Sequence, residues 1–302
     1  MRPYLFGLPS SALLLLLVLL AANCAMVACA PEGSAGERPG PAAAETIENM
    51  GSDTLVNLAL AWAEDYMRLH PEVSISVTGG GSGTGIAALL NGTIDIANAS
   101  REMQPKEIET AHANGIAPKE FAVARDAIAV VVHPSNPVNG LTLQQISDIY
   151  SGQVTNWRDV GGEERPIVLL SRESNSGTYV YFLENVVRLG DKKNQLLFAP
   201  DTLLMPSSEG ISVEVRQNPN AIGYDGLGYV TPDQKMVAVA ADAGGAYVLP
   251  SIETVNSGSY PISRPLYMVT AREPTSVIKD YLEWIQSEGQ KRVADLGFVP
   301  LQ

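Results

Sequence analysis

Thr78-Gly79-Gly80-Gly81-Ser82-Gly83-Thr84-Gly85 and Ser171-Arg172-Glu173-Ser174-Asn175-Ser176-Gly177-Thr178 each place a Ser-Gly-Thr turn between a β-branched apolar run and a stretch that reads as helix. The first N–H groups of a helix lack intrahelical acceptors and carry the positive end of the helix dipole. Hydroxyls and bare backbone gathered there therefore form a site for an oxyanion. Glycine crowds the first stretch, which weakens packing and costs conformational entropy, a cost that is understandable where the backbone approaches a ligand closely. No Lys stands before the Ser or Thr, which excludes the phosphate-binding loop of nucleotide hydrolases. The second stretch adds Arg172, whose planar fork can donate two charge-assisted bonds to a tetrahedral anion.

Outward from these turns, two further loops have the same character. Gly51-Ser52-Asp53-Thr54 precedes Leu55, Leu58, Ala59, Trp62, Tyr66 and Leu69 at helical spacing, and Ser52 or Asp53 is positioned to cap that helix. Ala99-Ser100-Arg101 follows a short buried strand over 94–97, at the strand end where open α/β sheets bind ligands. Val73, Ile75 and Val77 alternate as a strand. The pattern continues with helices over 86–90 and 105–113 and a buried strand over 127–132, immediately after Asp126. Past His133-Pro134 a second series begins: helix 143–150, strand 167–170, helices 178–189 and 211–217, strand 221–224. A strand over 266–269 and an amphipathic helix over 277–285 close the chain and are expected to return to the first lobe. This alternation predicts an α/β fold in two lobes, with lobe I formed by 45–129 and 228–302 and lobe II by 130–227.

A chain of 302 residues with 45% hydrophobic content accommodates two ordinary cores. Its formal net charge of −13, with no compact Lys/Arg patch, excludes nucleic acid and an anionic membrane surface as partners. An anionic ligand would need local donors that overcome an unfavourable global field. Arg2 followed by a short apolar run over 13–22 predicts a lipoprotein-type signal peptide over 1–28. Met26-Val27-Ala28-Cys29 resembles a bacterial lipobox, so Cys29 is the expected lipidation site; Cys24 competes, but Asn23 is a poor residue before cleavage. Residues 29–44, rich in Ala, Pro, Gly and Glu, predict a flexible tether.

The four loops in this order, together with Leu143-Gln144-Gln145-Ile146-Ser147-Asp148-Ile149-Tyr150-Ser151-Gly152 and Thr155-Asn156-Trp157, resemble the phosphate-binding proteins of bacterial phosphate ABC transporters. The resemblance runs from about Glu45 to the C-terminus. It implies a type II periplasmic-binding-protein fold, each lobe a mixed sheet flanked by helices, with phosphate held at helix N-termini in the cleft between lobes. It implies that Ser52, Asp53, Thr54, Ser82, Gly83, Ser100 and Arg101 line one face and Arg172, Ser176, Gly177 and Thr178 the other. Two positions depart from the family pattern. Arg101 stands where many members have a carboxylate, and Ser174 stands where Asp or Glu is usual, with Glu173 one position early.

The second departure bears on selectivity. A carboxylate accepts a hydrogen bond from protonated phosphate and repels sulfate, which has no proton to give. Asp53, Asp126 and Glu173 are the candidates; Asp126 is favoured, with an ion pair orienting Arg101 as its alternative role. The function expected is a lipid-anchored, monomeric extracytoplasmic receptor that captures inorganic phosphate and hands it to a membrane permease, without a cofactor or metal. Alternatives are a receptor for sulfate, molybdate or phosphonate, or a phosphate sensor. A phosphatase or serine hydrolase using Ser82 or Ser176 would need a base, and only His70, His112 and His133 are available.

Overall fold

The computed structural model describes residues 45–302, so the signal peptide, the tether, Cys24 and Cys29 lie outside the described residues. Ten strands form one connected sheet in the order β2-β1-β3-β10-β4-β8-β6-β7, with β9 and β5 joined to it through β4. β1 (Glu45–Gly51) pairs in parallel with β2 (Val73–Thr78) and β3 (Ile96–Ala99), and β10 (Ser263–Thr270) runs antiparallel beside β3.

β4 (Lys119–Val132) divides the sheet in two. Its residues 119–127 pair with β10, whereas from Ile128 onward it pairs with β8 (Ala221–Gly226) on one side and from Val130 with β9 (Lys235–Ala240) on the other. The second half is completed by β5 (Gly140–Thr142) beside β9 and by β6 (Val168–Arg172) and β7 (Leu203–Met205) beyond β8. The expected strand over 127–132 is thus the second part of a longer one, and Asp126 lies inside it rather than before it. In 119–126 charged and half-buried residues replace the apolar run, which hides strand character from hydrophobicity alone.

Helices cover both faces of each half. In the first, α1 (Asp53–Leu69) buries Leu55, Leu58, Ala59, Trp62 and Tyr66 against the sheet together with α8 (Ser276–Gln286) and α9 (Lys291–Asp295). Leu69, assigned to the same stripe, is exposed, because the helix ends there. The opposite face carries α2 (Ser82–Leu90) and α3 (Pro105–Ala113), packed through Ile86, Leu89 and Ala111. In the second half, α4 (Leu143–Tyr150), α5 (Gly177–Phe182) and α7 (Ile252–Asn256) cover one face around Tyr150, Trp157, Phe182 and Tyr224. α5 continues as a π turn over Leu183–Val187, and α6 (Ser208–Gln217) covers the other face through Ile211 and Val215.

The boundary expected at residue 228 needs correction. The chain touches the first core at Gly228 and Tyr229 and then returns. β9 belongs to the second half by pairing, and Val237, Val239, Val255, Tyr260 and Ile262 pack in its core. Only from Ser263 does the chain rejoin the first half.

α2 is seated directly on the end of β1. A Cβ built on Gly85 would lie 2.5 Å from the Met50 carbonyl oxygen and 2.7 Å from Gly51 Cα. Gly85→Ala should lower the unfolding free energy by about 1–3 kcal/mol in a denaturant titration, because backbone must shift. Gly92→Ala, at φ +69° with nothing within 4 Å, should cost about 1 kcal/mol from backbone strain alone. Equal losses would contradict the tight seating of α2.

Candidate functional site

The two Ser-Gly-Thr turns meet. A Cβ added to Gly177 would fall 2.4 Å from Ser82 Oγ and 2.6 Å from Ser100 Oγ, so the start of α5 in the second half abuts hydroxyls of the first. Only glycine permits this approach. Ser82 Oγ accepts the Ser100 N–H at 3.0 Å and lies 3.3 Å from Ser100 Oγ. Thr54 and Thr178 hydroxyls pair across the interface at 2.9 Å. Ser82, Ser100, Thr54 and Thr178 are all buried.

Ser52 is buried at the α1 N-terminus, and neither its side chain nor that of Asp53 caps the helix, contrary to the capping expectation. Asp53 Oδ1 instead accepts the Gly80 N–H at 3.1 Å, and Oδ2 accepts from Arg172 Nη2 at 2.7 Å. Gly83 donates its N–H to the Asn175 carbonyl at 2.9 Å, and Asn175 Nδ2 donates back to the Gly80 carbonyl. Ser176 Oγ caps α5 by accepting from Thr178 N and Tyr179 N, which leaves its O–H free to donate. Arg172 spends four of its five N–H bonds on Met205 O, Ser208 Oγ, Asp53 and Pro206 O. It braces the second face and the inter-half contact more than it opens towards a ligand.

Arg101 does not pair with Asp126, so the orienting role considered for Asp126 is not what the structure contains. Its Nη groups engage Glu107 at 2.7 and 2.8 Å, while its Nε is buried with no partner. Such an unpaired buried donor is costly, and an entering anion would satisfy it. Asp126 pairs instead with Arg264, which the sequence reading missed. Arg264 Nη2 reaches Asp126 Oδ2 at 3.0 Å, Thr178 Oγ1 at 2.9 Å and Thr54 Oγ1 at 3.4 Å, and Nη1 reaches the Ser100 carbonyl at 2.8 Å. Burial pushes the Asp126 carboxyl up from its ordinary value, and the Arg264 guanidinium pulls the other way. Its Oδ1 has a single long bond, from Leu227 N at 3.3 Å, and is the more available oxygen. Arg264 sits in Ser-Arg-Pro on β10, with no glycine loop or helix start to flag it; only its charge inside a strand pattern was a signal.

Beside these contacts a cleft of about 880 Å³ runs between the halves, and Arg101 and Arg264 reach it. Its walls hold five cations, counting Lys106, Arg188 and Lys192, against three carboxylates, so the local balance is positive in a chain of net charge −13. His70 pairs with Glu72 and His133 with Ser135. The hydroxyls of Ser82 and Ser176 are engaged with Ser100 and with the α5 backbone, not with a histidine.

The PBP superfamily domain model matches residues 36–288. Phosphate-binding protein PstS of Pseudomonas aeruginosa (strain PAO1) is 37% identical over 84% of this chain and 83% of its own length. The chain belongs to the PBP superfamily, in the family of the PstS proteins. PstS of Bacillus subtilis (strain 168) is 29% identical over 95% of this chain and 94% of its own. Among solved structures, a putative phosphate ABC transporter substrate-binding protein with bound phosphate from Clostridium perfringens superposes with a TM-score of 0.76 at 34% identity, covering 85% of this chain and all of that one. The fold is the two-part type II periplasmic-binding-protein architecture, and members of this family are binding proteins, not enzymes.

Gly177→Ala tests the meeting of the two turns. With inorganic phosphate as the probe in calorimetry, the variant should lose at least about tenfold in affinity, roughly 1.4 kcal/mol, while its circular dichroism spectrum stays that of the parent. Unchanged affinity would show that the halves need not approach this closely.

Proposed function

We propose that this chain captures inorganic phosphate between its two halves and presents it to the membrane permease of an ABC transporter. The observation that carries this reading is the contact of Gly177 with Ser82 and Ser100, which brings two helix starts and their hydroxyls to one point. Ser52, Thr54, Ser82, Ser100, Ser176 and Thr178 are the proposed hydroxyl donors, and Arg101, Arg172 and Arg264 the cations. In the closed arrangement several of these donors pair with each other. Exchanging hydroxyl–hydroxyl bonds for hydroxyl–oxyanion bonds is favourable because charge-assisted bonds are the stronger.

Closure then follows from differential contacts: an anion bridging both halves stabilises the closed state over the open one. A micromolar dissociation constant requires only about 8 kcal/mol net, within reach of a few charge-assisted bonds after desolvation. The positive cleft beside Arg101 and Arg264 supports local attraction of an anion that the overall charge would repel. No bond is made or broken. The proposal includes processing and lipidation at Cys29, with residues 29–44 as tether, so that the receptor works outside the membrane as a monomer. Among the described residues no helix is long and apolar enough to cross a membrane.

For selectivity we assign Asp126 Oδ1 as acceptor of the phosphate proton. Asp53 is held by Arg172 and Gly80. Titration of the purified protein with phosphate, sulfate, molybdate and arsenate near neutral pH tests the whole reading: phosphate should bind with a dissociation constant of about micromolar or tighter, and silence towards phosphate would defeat it. Asp126→Asn keeps the side chain's size and removes its charge. Sulfate should then compete with phosphate, whereas unchanged selectivity would remove Asp126 from the role and leave phosphate capture standing.

A further inference from the structure

Asp225 lies on β8 and is almost completely buried. Its Oδ1 accepts the Gly226 N–H at 2.9 Å, while Oδ2 has no hydrogen-bond partner. For an ionised carboxylate that is an expensive environment. The groups facing it come from every element packed around β8. Arg172 on β6 and Ser208 at the start of α6 favour its charged form; Asp126 on the adjacent β4 opposes it, and Tyr229, just past β8, senses its charge. Burial dominates and pushes the carboxyl up to about 7.

Asp225 and Asp53 share one cation. Arg172 Nη2 bonds Asp53 Oδ2 at 2.7 Å and Nη1 bonds Ser208 Oγ at 3.0 Å, and the same guanidinium favours the charged form of Asp225. Arg172 therefore already has two candidate counter-charges when a third negative group arrives between the two turns. Charges in a low-dielectric interior interact over such distances. Of the groups in this cluster, a carboxyl with an unpartnered oxygen is the one that most readily takes up a proton.

We infer that capture of a phosphate dianion between the two turns is coupled to uptake of one proton from solvent by the Asp225 carboxylate, so that affinity for the dianion falls as pH rises. The inference rests on the phosphate reading. The balance is simple: the carboxylate gains a proton, the bound dianion keeps its own, and the buffer supplies the difference.

Calorimetry with inorganic phosphate at about pH 8, where free phosphate is mostly dianion, in buffers of different ionisation enthalpy reads that proton directly. The wild-type protein should take up a substantial fraction of a proton per phosphate; Asp225→Asn should bind phosphate with the uptake lost, and Asp225→Glu should retain it. Equal uptake by wild type and Asp225→Asn, or wild-type binding with no uptake, would overturn the inference alone. Absence of binding by wild type would overturn the phosphate reading and the inference with it. A measurement that needs no variant is the carbon NMR titration of the wild-type aspartates: one carboxyl should titrate near 7 and move upward when phosphate is added. No such resonance would equally overturn it.

A carboxyl raised from 3.8 to about 7 holds more protons folded than unfolded between those values, so its contribution to stability falls as pH rises through that window. Asp225→Asn should remove this part of the decline and be at least as stable as wild type at about pH 8.

Discussion

The buried pair of Asp126 and Arg264 is the interaction on which the rest depends. Asp126 stands where β4 leaves the first half for the second, and Arg264 stands on β10, directly across from it in register. Two ions out of water are stable only when their remaining hydrogen-bonding capacity is filled. Here the Ser100 carbonyl and the hydroxyls of Thr54 and Thr178 fill that of Arg264, so both halves supply partners to one guanidinium. The cation is held at the junction by electrostatics that either half alone would leave incomplete.

From that junction the architecture of the site follows. The glycines of the two turns let backbone and hydroxyl groups crowd together, and Gly177 sets the distance of closest approach. Arg172 occupies the second face chiefly as a brace between Asp53 and the Met205–Ser208 loop. Arg101, anchored by Glu107, leaves Nε unspent. Net negative charge over the whole molecule and a positive cleft coexist because five of the 20 Lys and Arg residues line the cleft against three carboxylates.

Much of this was legible in the sequence, for identifiable reasons. The hydrophobic periods of α1, α3, α4 and β2 are local signals, and their helices and strands stand at or near the expected residues. The Ser-Gly-Thr turns advertised themselves because glycine and hydroxyls at a strand-to-helix junction have few other uses. What escaped was set by partners far along the chain. The first part of β4 carries charges that pair with β10 and residues near the C-terminus. β9 looks neutral in isolation but is assigned to the second half by pairing with β4 and β5. Arg264 and Asp225 lie in strands where a charge reads as an exposed residue, and only the folded arrangement shows each to be buried in a polar cluster.

The central claim is that the two turns are halves of a single anion site. A crystal structure of the protein grown with phosphate tests it most directly. The account predicts one phosphate within hydrogen-bonding distance of both Ser82 and Thr178, with Arg101 Nε or Arg264 turned towards it. Phosphate bound to one half alone, or away from the two turns, would contradict it.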